Sequence, residues 1–258
     1  MPIIGIDLNR CNLCKECIKE CPMDNFSNLN KQVFFDNSRR CILCGHCIAV
    51  CQNNAIIYED MKDFAIDFKE TGVSQSYDTT FKLLCSKRSI RQYKNQKVPN
   101  KIIEKVIDCI RYAPVGLNKR TLKCLIISDK IKSNELIDSI IDAIESEEEK
   151  ENYVKKRRKN IDPFFYNAPN ILILHSDNQW DSKNAIIGLT YAMLGAESLG
   201  LGSCWIGGIQ MFLNENKQIK KKILNIDDEI FGIMIFGYPA VKYFRTPPRP
   251  ALETKFIS

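Results

Sequence analysis

The sequence predicts an α+β chain, in which a small cysteine-rich module precedes an α/β sandwich with one sheet covered by helices on both faces. Three observations carry this. Eight of the twelve cysteines lie within the first 51 of 258 residues. Beyond residue 78, short apolar runs of strand length are interleaved with longer runs of helical period. Hydrophobic residues make up 45% and charged residues 26% of the chain, close to the soluble average, so a packed core is within reach.

Composition also excludes whole classes. No apolar run approaches the roughly 18 to 20 residues that cross a bilayer, and no membrane partner is expected. The amino terminus MPIIGIDLNRC has neither the basic nor the apolar region of a secretory signal, so a cytoplasmic location is expected. A reducing compartment disfavours a disulfide framework and leaves metal binding to explain the cysteines. Residues 1–60 carry a net charge of −1 and residues 61–258 one of +7. That excess is modest, and no nucleic-acid partner is expected.

The cysteines form a repeat. Cys11, Cys14, Cys17 and Cys21 read C-x2-C-x2-C-x3-C, as do Cys41, Cys44, Cys47 and Cys51, at a constant offset of 30, with Leu13 matching Leu43 and Ile18 matching Ile48. Three thiolates two residues apart lie on a loop that wraps one face of an iron-sulfur cube. The fourth starts a short helix that leads it to the other cube. Cys11, Cys14, Cys17 and Cys51 are therefore assigned to one cluster, and Cys41, Cys44, Cys47 and Cys21 to the other. Zinc also accepts C-x2-C pairs, but a third cysteine two residues on and a fourth after three fit it poorly. The stretch resembles a bacterial two-cluster ferredoxin over roughly residues 1 to 58. Gln52 stands where the second motif would have a proline matching Pro22, and His46, between two ligands, is expected to face solvent.

A polar stretch, Thr71–Ser76, separates this module from the rest. The expected domains are 1–60, a two-cluster [4Fe-4S] module; 61–77, a linker; and 78–258, a second domain. In that domain Phe81, Leu84 and Cys85 suggest a short helix capped by Asp78. Asn100–Tyr112 presents Ile102, Ile103, Val106, Ile107 and Ile110 on one face, with Pro114 beyond its end. Leu125–Ile127 and Ile171–Leu174 read as buried strands. Glu145–Lys159 reads as an exposed helix with pairs such as Glu151 to Lys155. Ala185–Leu199 is a central helix stopped by Gly200 and Gly202, and Ile230–Phe236 is a third strand.

Four pieces of this domain carry chemistry. Lys87, Arg88, Ser89 and Arg91 alternate cations and a hydroxyl, as a phosphate monoester requires. Ala113–Arg120 is a turn whose Asn118 can donate and accept, matching the alternating edge of a flavin pyrimidine. Gly200–Gly208 contains glycines that let backbone amides approach a flat ring. Gly237-Tyr238-Pro239 is followed by Arg245 and Arg249.

Together and in this order, these pieces resemble the nitroreductase family of FMN flavoproteins, from about residue 78 to the end. The resemblance implies that Lys87, Arg88, Ser89 and Arg91 hold the FMN phosphate, with Arg249 and Arg245 completing that pocket. It implies that Asn118 faces the isoalloxazine, that Pro114 lies beside it, and that the backbone of Ile206, Gly207 and Gly208 approaches the reactive N5 edge. It also implies a homodimer with FMN at its interface. Val115 stands where the family often has Ser, and Lys119–Leu122 replaces a commoner Gln-Pro-Trp run. Cys85, Cys109, Cys124 and Cys204 are expected to be structural, and His175 a satisfied core residue.

The joined halves imply an FMN-dependent oxidoreductase that passes electrons from two [4Fe-4S] clusters to FMN and on to a small electron-poor acceptor such as a nitroaromatic or quinone. No side chain is needed as nucleophile or base. The donor is expected to be NAD(P)H or an external ferredoxin. The alternatives are a non-enzymatic electron carrier or redox sensor, and a flavin-dependent dehydrogenase or dehalogenase on the same scaffold.

Overall fold

A computed structural model describes residues 3–59 and 76–257. They fall into two compact units. Most of the expected 61–77 linker, including Thr71–Gln75, lies outside the described residues.

The first unit contains residues up to 59 together with Val115–Arg120. Strand β1 (Ile3–Ile6) pairs antiparallel with β4 (Ile56–Tyr58), and β2 (Phe26–Leu29) pairs antiparallel with β3 (Gln32–Phe35). Asn30 and Lys31 turn the β2–β3 hairpin with φ of 48° and 60°, the backbone that a two-residue hairpin demands. Two single-turn helices, α1 (Glu16–Lys19) and α2 (His46–Val50), carry the third cysteine of each motif. Ile3, Phe26, Val33, Phe35 and Ile56 form the core with Cys47, and the Phe26 and Phe35 rings lie 5.0 Å apart.

The repeat extends to the backbone. Leu13 and Leu43 have φ of 61° and 57°, Lys15 and Gly45 have 63° and 75°, and Asp24 and Asn54 have 52° and 49°. Each pair is offset by thirty residues, and left-handed φ is costly for a residue such as leucine. The duplicated motif thus preserves the same unusual chain path in both copies.

In the second unit, α3 (Tyr77–Ser86) and α4 (Asn100–Arg111) precede a four-stranded sheet of order β5-β6-β8-β7, antiparallel throughout. Its strands are β5 (Lys123–Ile127), β6 (Asn170–Ser176), β7 (Gly202–Trp205) and β8 (Glu229–Gly237). Between them run α5 (Lys130–Asp142), α6 (Glu147–Arg158), α7 (Asp181–Ser198) and α8 (Gly207–Glu215).

Period-two alternation puts helices on both faces. Ile171, Ile173, Ile233 and Ile235 face α5 residues Leu136, Ile137, Ile140 and Ile141 in one core. Leu172, Leu174, Met234 and Phe236 join Ile103 and Val106 of α4 and Ala185, Leu189, Ala192 and Ala196 of α7 in the other. The exposed helix α6 carries the Lys155–Glu151 pair at 3.0 Å.

One local expectation changes. The cap of α3 is Ser76, whose hydroxyl accepts from the Thr79 amide at 3.3 Å, while Asp78 sits inside the first turn. Strand β7 lies within the glycine-rich stretch Gly200–Gly208. Gly202 is there because a Cβ would stand 2.5 Å from Ile90 Cγ1, so only glycine lets the 88–94 segment lie against this strand.

Candidate functional site

The cysteine motifs fold into two recesses of four thiols each. One is lined by Cys11, Cys14, Cys17 and Cys51, and the other by Cys21, Cys41, Cys44 and Cys47. Both follow from the short helices: each begins after a left-handed residue, Lys15 or Gly45, and carries the chain away from its own three-cysteine loop. All twelve cysteines are free thiols.

Backbone amides point at the sulfurs. Asn25 N–H donates to Cys21 Sγ at 3.4 Å, Ala55 N–H to Cys51 Sγ at 3.2 Å, and Leu43 N–H to Cys41 Sγ at 3.4 Å. Asparagines hold the carbonyl before each motif, Asn53 Nδ2 on Arg10 O at 2.9 Å and Asn25 Nδ2 on Arg40 O at 3.3 Å. Sequence reasoning misses both, because each asparagine serves the motif opposite its own.

Electrostatics fits a cationic occupant. Burial, then the neighbouring Cys51, Cys11 and Cys14, pushes the Cys17 thiol up. Burial, then Cys44, pushes Cys47 up to about 12. The Cys17 and Cys47 thiols thus stay protonated unless a cation binds, and iron offsets that by holding them as thiolates. Soft thiolate donors in fours suit a [4Fe-4S] cluster. His46 faces solvent.

In the second unit, three of the four chemical segments meet at the β7 edge. Ile90 N–H donates to Ser203 O at 3.0 Å, Lys94 N–H to Tyr238 O at 2.8 Å, and Ala240 N–H to Gln92 O at 2.9 Å. Lys87 Nζ donates to Arg88 O at 2.6 Å and to Ser203 O at 3.1 Å. The Arg88 guanidinium donates to Lys87 O at 2.6 Å and also to Cys85 O. Ser89 is exposed and bridges to Ser203, while Arg91 stacks over the Tyr166 ring at 5.7 Å.

Burial lowers the Lys87 pKa, with Glu197 opposing, and burial raises that of Glu197, with Lys87 and Arg88 opposing. Glu197 escapes sequence reading because it sits near the end of the largely apolar α7. Two features fit a phosphate-bearing planar ligand. A Cβ on Gly208 would meet nothing within 4 Å, leaving open space at the start of α8. The Ser203 hydroxyl is fully buried and has no hydrogen-bond partner among the described residues.

The remaining expected residues lie elsewhere. Ile206 is buried and precedes α8, and Pro114 is exposed at the end of the segment after α4. Arg245 and Arg249 sit on an exposed carboxyl-terminal stretch. Asn118 belongs to the first unit, where its Nδ2 donates to Ile42 O at 3.1 Å and Leu43 O at 2.7 Å. Cys204 is buried in the sheet core. His175 Nδ1 meets Asp228 Oδ2 at 2.9 Å, which also accepts from Lys123 Nζ at 2.9 Å.

Comparison with known proteins finds two family matches. The nitroreductase family model matches residues 84–238, and a 4Fe-4S dicluster domain matches residues 3–52. An uncharacterized ferredoxin of Methanocaldococcus jannaschii is 42% identical over 59 residues, 22% of this chain. The chain spans only 40% of that ferredoxin's length. A Methanothermobacter thermautotrophicus protein named "Putative NADH dehydrogenase/NAD(P)H nitroreductase" is 22% identical over 166 residues, covering 60% of this chain and 74% of that one.

Among solved structures, a Bacteroides fragilis nitroreductase with bound FMN aligns at TM-score 0.58 and 21% identity, over 69% of this chain and 97% of that one. An FMN-bound nitroreductase from Desulfitobacterium hafniense aligns at 0.53 and 16% identity, over 67% and 94%. The chain belongs to the nitroreductase family and carries an N-terminal 4Fe-4S domain. Among the described residues, no helix is long and apolar enough to cross a membrane.

Proposed function

We propose that the chain is a cytoplasmic iron-sulfur flavoprotein oxidoreductase that passes electrons from two [4Fe-4S] clusters to FMN and on to an electron-poor organic acceptor such as a nitroaromatic or a quinone. The observation that carries this reading is the sorting of eight cysteines into two four-thiol recesses in a chain whose longer part matches the nitroreductase family. FMN, when bound, exchanges electrons singly with iron-sulfur centres and in pairs with organic acceptors.

In this reading Cys11, Cys14, Cys17 and Cys51 hold one cluster and Cys21, Cys41, Cys44 and Cys47 the other. Lys87, Arg88, Ser89 and Arg91 bind the FMN phosphate. Both Lys87 and Arg88 keep N–H donors beyond those given to backbone carbonyls. Pro114 borders the flavin, the Ile206–Gly208 backbone approaches it at the open start of α8, and Arg245 and Arg249 complete the phosphate pocket. Asn118 is left out of this set, since one nitrogen serves two carbonyls in the first unit. No side chain acts as nucleophile or base.

The active form in this reading is a homodimer with FMN at its interface. Phe244, Leu252, Phe256 and Ile257 support it, being 81% to 91% exposed on the carboxyl-terminal stretch, an apolar surface that a second copy would cover. The domains run over 1–60 and 78–258 with a linker at 61–77, and the donor is NAD(P)H or an external ferredoxin.

Anaerobic reconstitution followed by reductive titration tests this. About eight irons per chain are expected for two cubane clusters, with FMN bound and reduced after the clusters. Protein that binds no FMN, or whose reduced clusters leave the flavin oxidised, would rule it out.

A further inference from the structure

We propose that Asn118 is a positioning residue for the second cysteine loop, and that its amide raises the reduction potential of the cluster on Cys21, Cys41, Cys44 and Cys47 through the Ile42–Leu43 peptide. The proposal rests on the cluster reading above and goes beyond it, because it distinguishes two clusters whose binding loops follow the same backbone path.

The bonds form a chain. Asn118 Nδ2 donates to Ile42 O at 3.1 Å and Leu43 O at 2.7 Å, and the Leu43 N–H, on the same peptide as Ile42 O, donates to Cys41 Sγ at 3.4 Å. A donor on a peptide carbonyl polarises that peptide and strengthens the hydrogen bond made by its N–H. Reduction adds negative charge to a cluster, and N–H donors on its ligand sulfurs favour the reduced form. Asn118 therefore favours reduction without touching a ligand.

The residue type suits the task. An asparagine nitrogen carries two hydrogens and can serve adjacent carbonyls at once. Its backbone is held by a turn in which Asn118 N–H donates to Val115 O and Lys119 N–H to Gly116 O, each at 3.1 Å. Asn118 has φ of 52°, a region that asparagine enters readily. In the first motif, Asn12 Oδ1 instead accepts from Cys14 N–H at 3.2 Å. The duplicated loops thus differ: the first is braced by an asparagine within it, the second by one from outside the motif.

The test is an anaerobic redox titration of the full chain and of Asn118→Gly, followed by electron paramagnetic resonance with mediator dyes. Glycine keeps the left-handed backbone and removes only the amide. One of the two cluster signals is expected to move to lower potential while the other stays. The expected size is a roughly threefold to tenfold drop in the reduced-to-oxidised ratio at fixed potential, about 59 mV for tenfold in a one-electron couple.

The sign separates this from a covering role. Loosening a lid admits water, which favours the more charged reduced form and raises the potential. An unchanged or raised potential, or an equal shift of both signals, overturns the proposal alone. Parent protein without cluster signals overturns the cluster reading and the proposal together. If the glycine variant fails to keep its iron, Asn118→Ala, uncharged and without a hydrogen to donate, is read the same way, at the cost of some left-handed backbone strain.

Discussion

Cys21 and Cys51 occupy equivalent places in the two copies of the motif: each Sγ accepts the backbone N–H of the residue four positions on, at 3.4 Å from Asn25 and 3.2 Å from Ala55. Each also lines the recess formed by the other motif's three-cysteine loop. Crossed ligation makes a specific demand on double variants. Cys21→Ala and Cys44→Ala remove ligands from one cluster, so their combination should lose no more iron than either alone, about half the total. Cys21→Ala with Cys14→Ala should lose nearly all of it. Iron analysis after anaerobic reconstitution checks both pairs, and the reverse ranking would refute the crossing.

Arg88→Ala should weaken FMN binding by about 1.5–3 kcal/mol, roughly ten- to 150-fold, the usual worth of a hydrogen bond to a charged group. Quenching of flavin fluorescence on binding measures it. An affinity equal to that of the parent would remove Arg88 from the phosphate site.

Gly202 and Gly208 should respond oppositely to alanine. At Gly202 the new methyl would stand 2.5 Å from Ile90 Cγ1, while at Gly208 nothing lies within 4 Å. Gly202→Ala should cost about 1–3 kcal/mol of stability through overpacking. Gly208→Ala should leave stability within about 0.5 kcal/mol yet weaken FMN binding if the ring approaches the open space at Gly208 as proposed. Denaturant unfolding alongside flavin titration separates these effects.

Asp228 should confer a pH dependence on stability. Its carboxyl is held below the usual range, first by the hydrogen bond from Lys123 and also by His175. A carboxylate with a depressed folded pKa contributes stability above its unfolded value of about 4. That contribution is lost as pH falls through the lower folded value. Asp228→Asn should flatten the thermal-melting profile between about pH 5 and 2. A profile as steep as the parent's would assign the acid sensitivity to other groups.

Much of this was legible because the signals are local. The thirty-residue offset foretells the recesses, and the continuous apolar runs Ile171–Leu174 and Ile230–Phe236 foretell the buried strands. Strand β7 is hidden because Gly202-Ser203-Cys204-Trp205 is short and poor in β-branched residues, and is held in the sheet by pairing with β8. Ser76 and Asp78 both suit a cap by residue type, and chain geometry selects Ser76. Asn118 reads as a flavin residue by position in its motif, and only tertiary structure reveals carbonyl partners more than seventy residues away.

The exchange of fourth thiols ties the two halves of the module together. Since Cys51 completes the recess begun at Cys11 and Cys21 the one begun at Cys41, a nascent chain ending before residue 51 cannot assemble the first four-thiol set. The later half on its own lacks a donor for the second. A complete four-thiol set at either recess therefore needs both halves of the module.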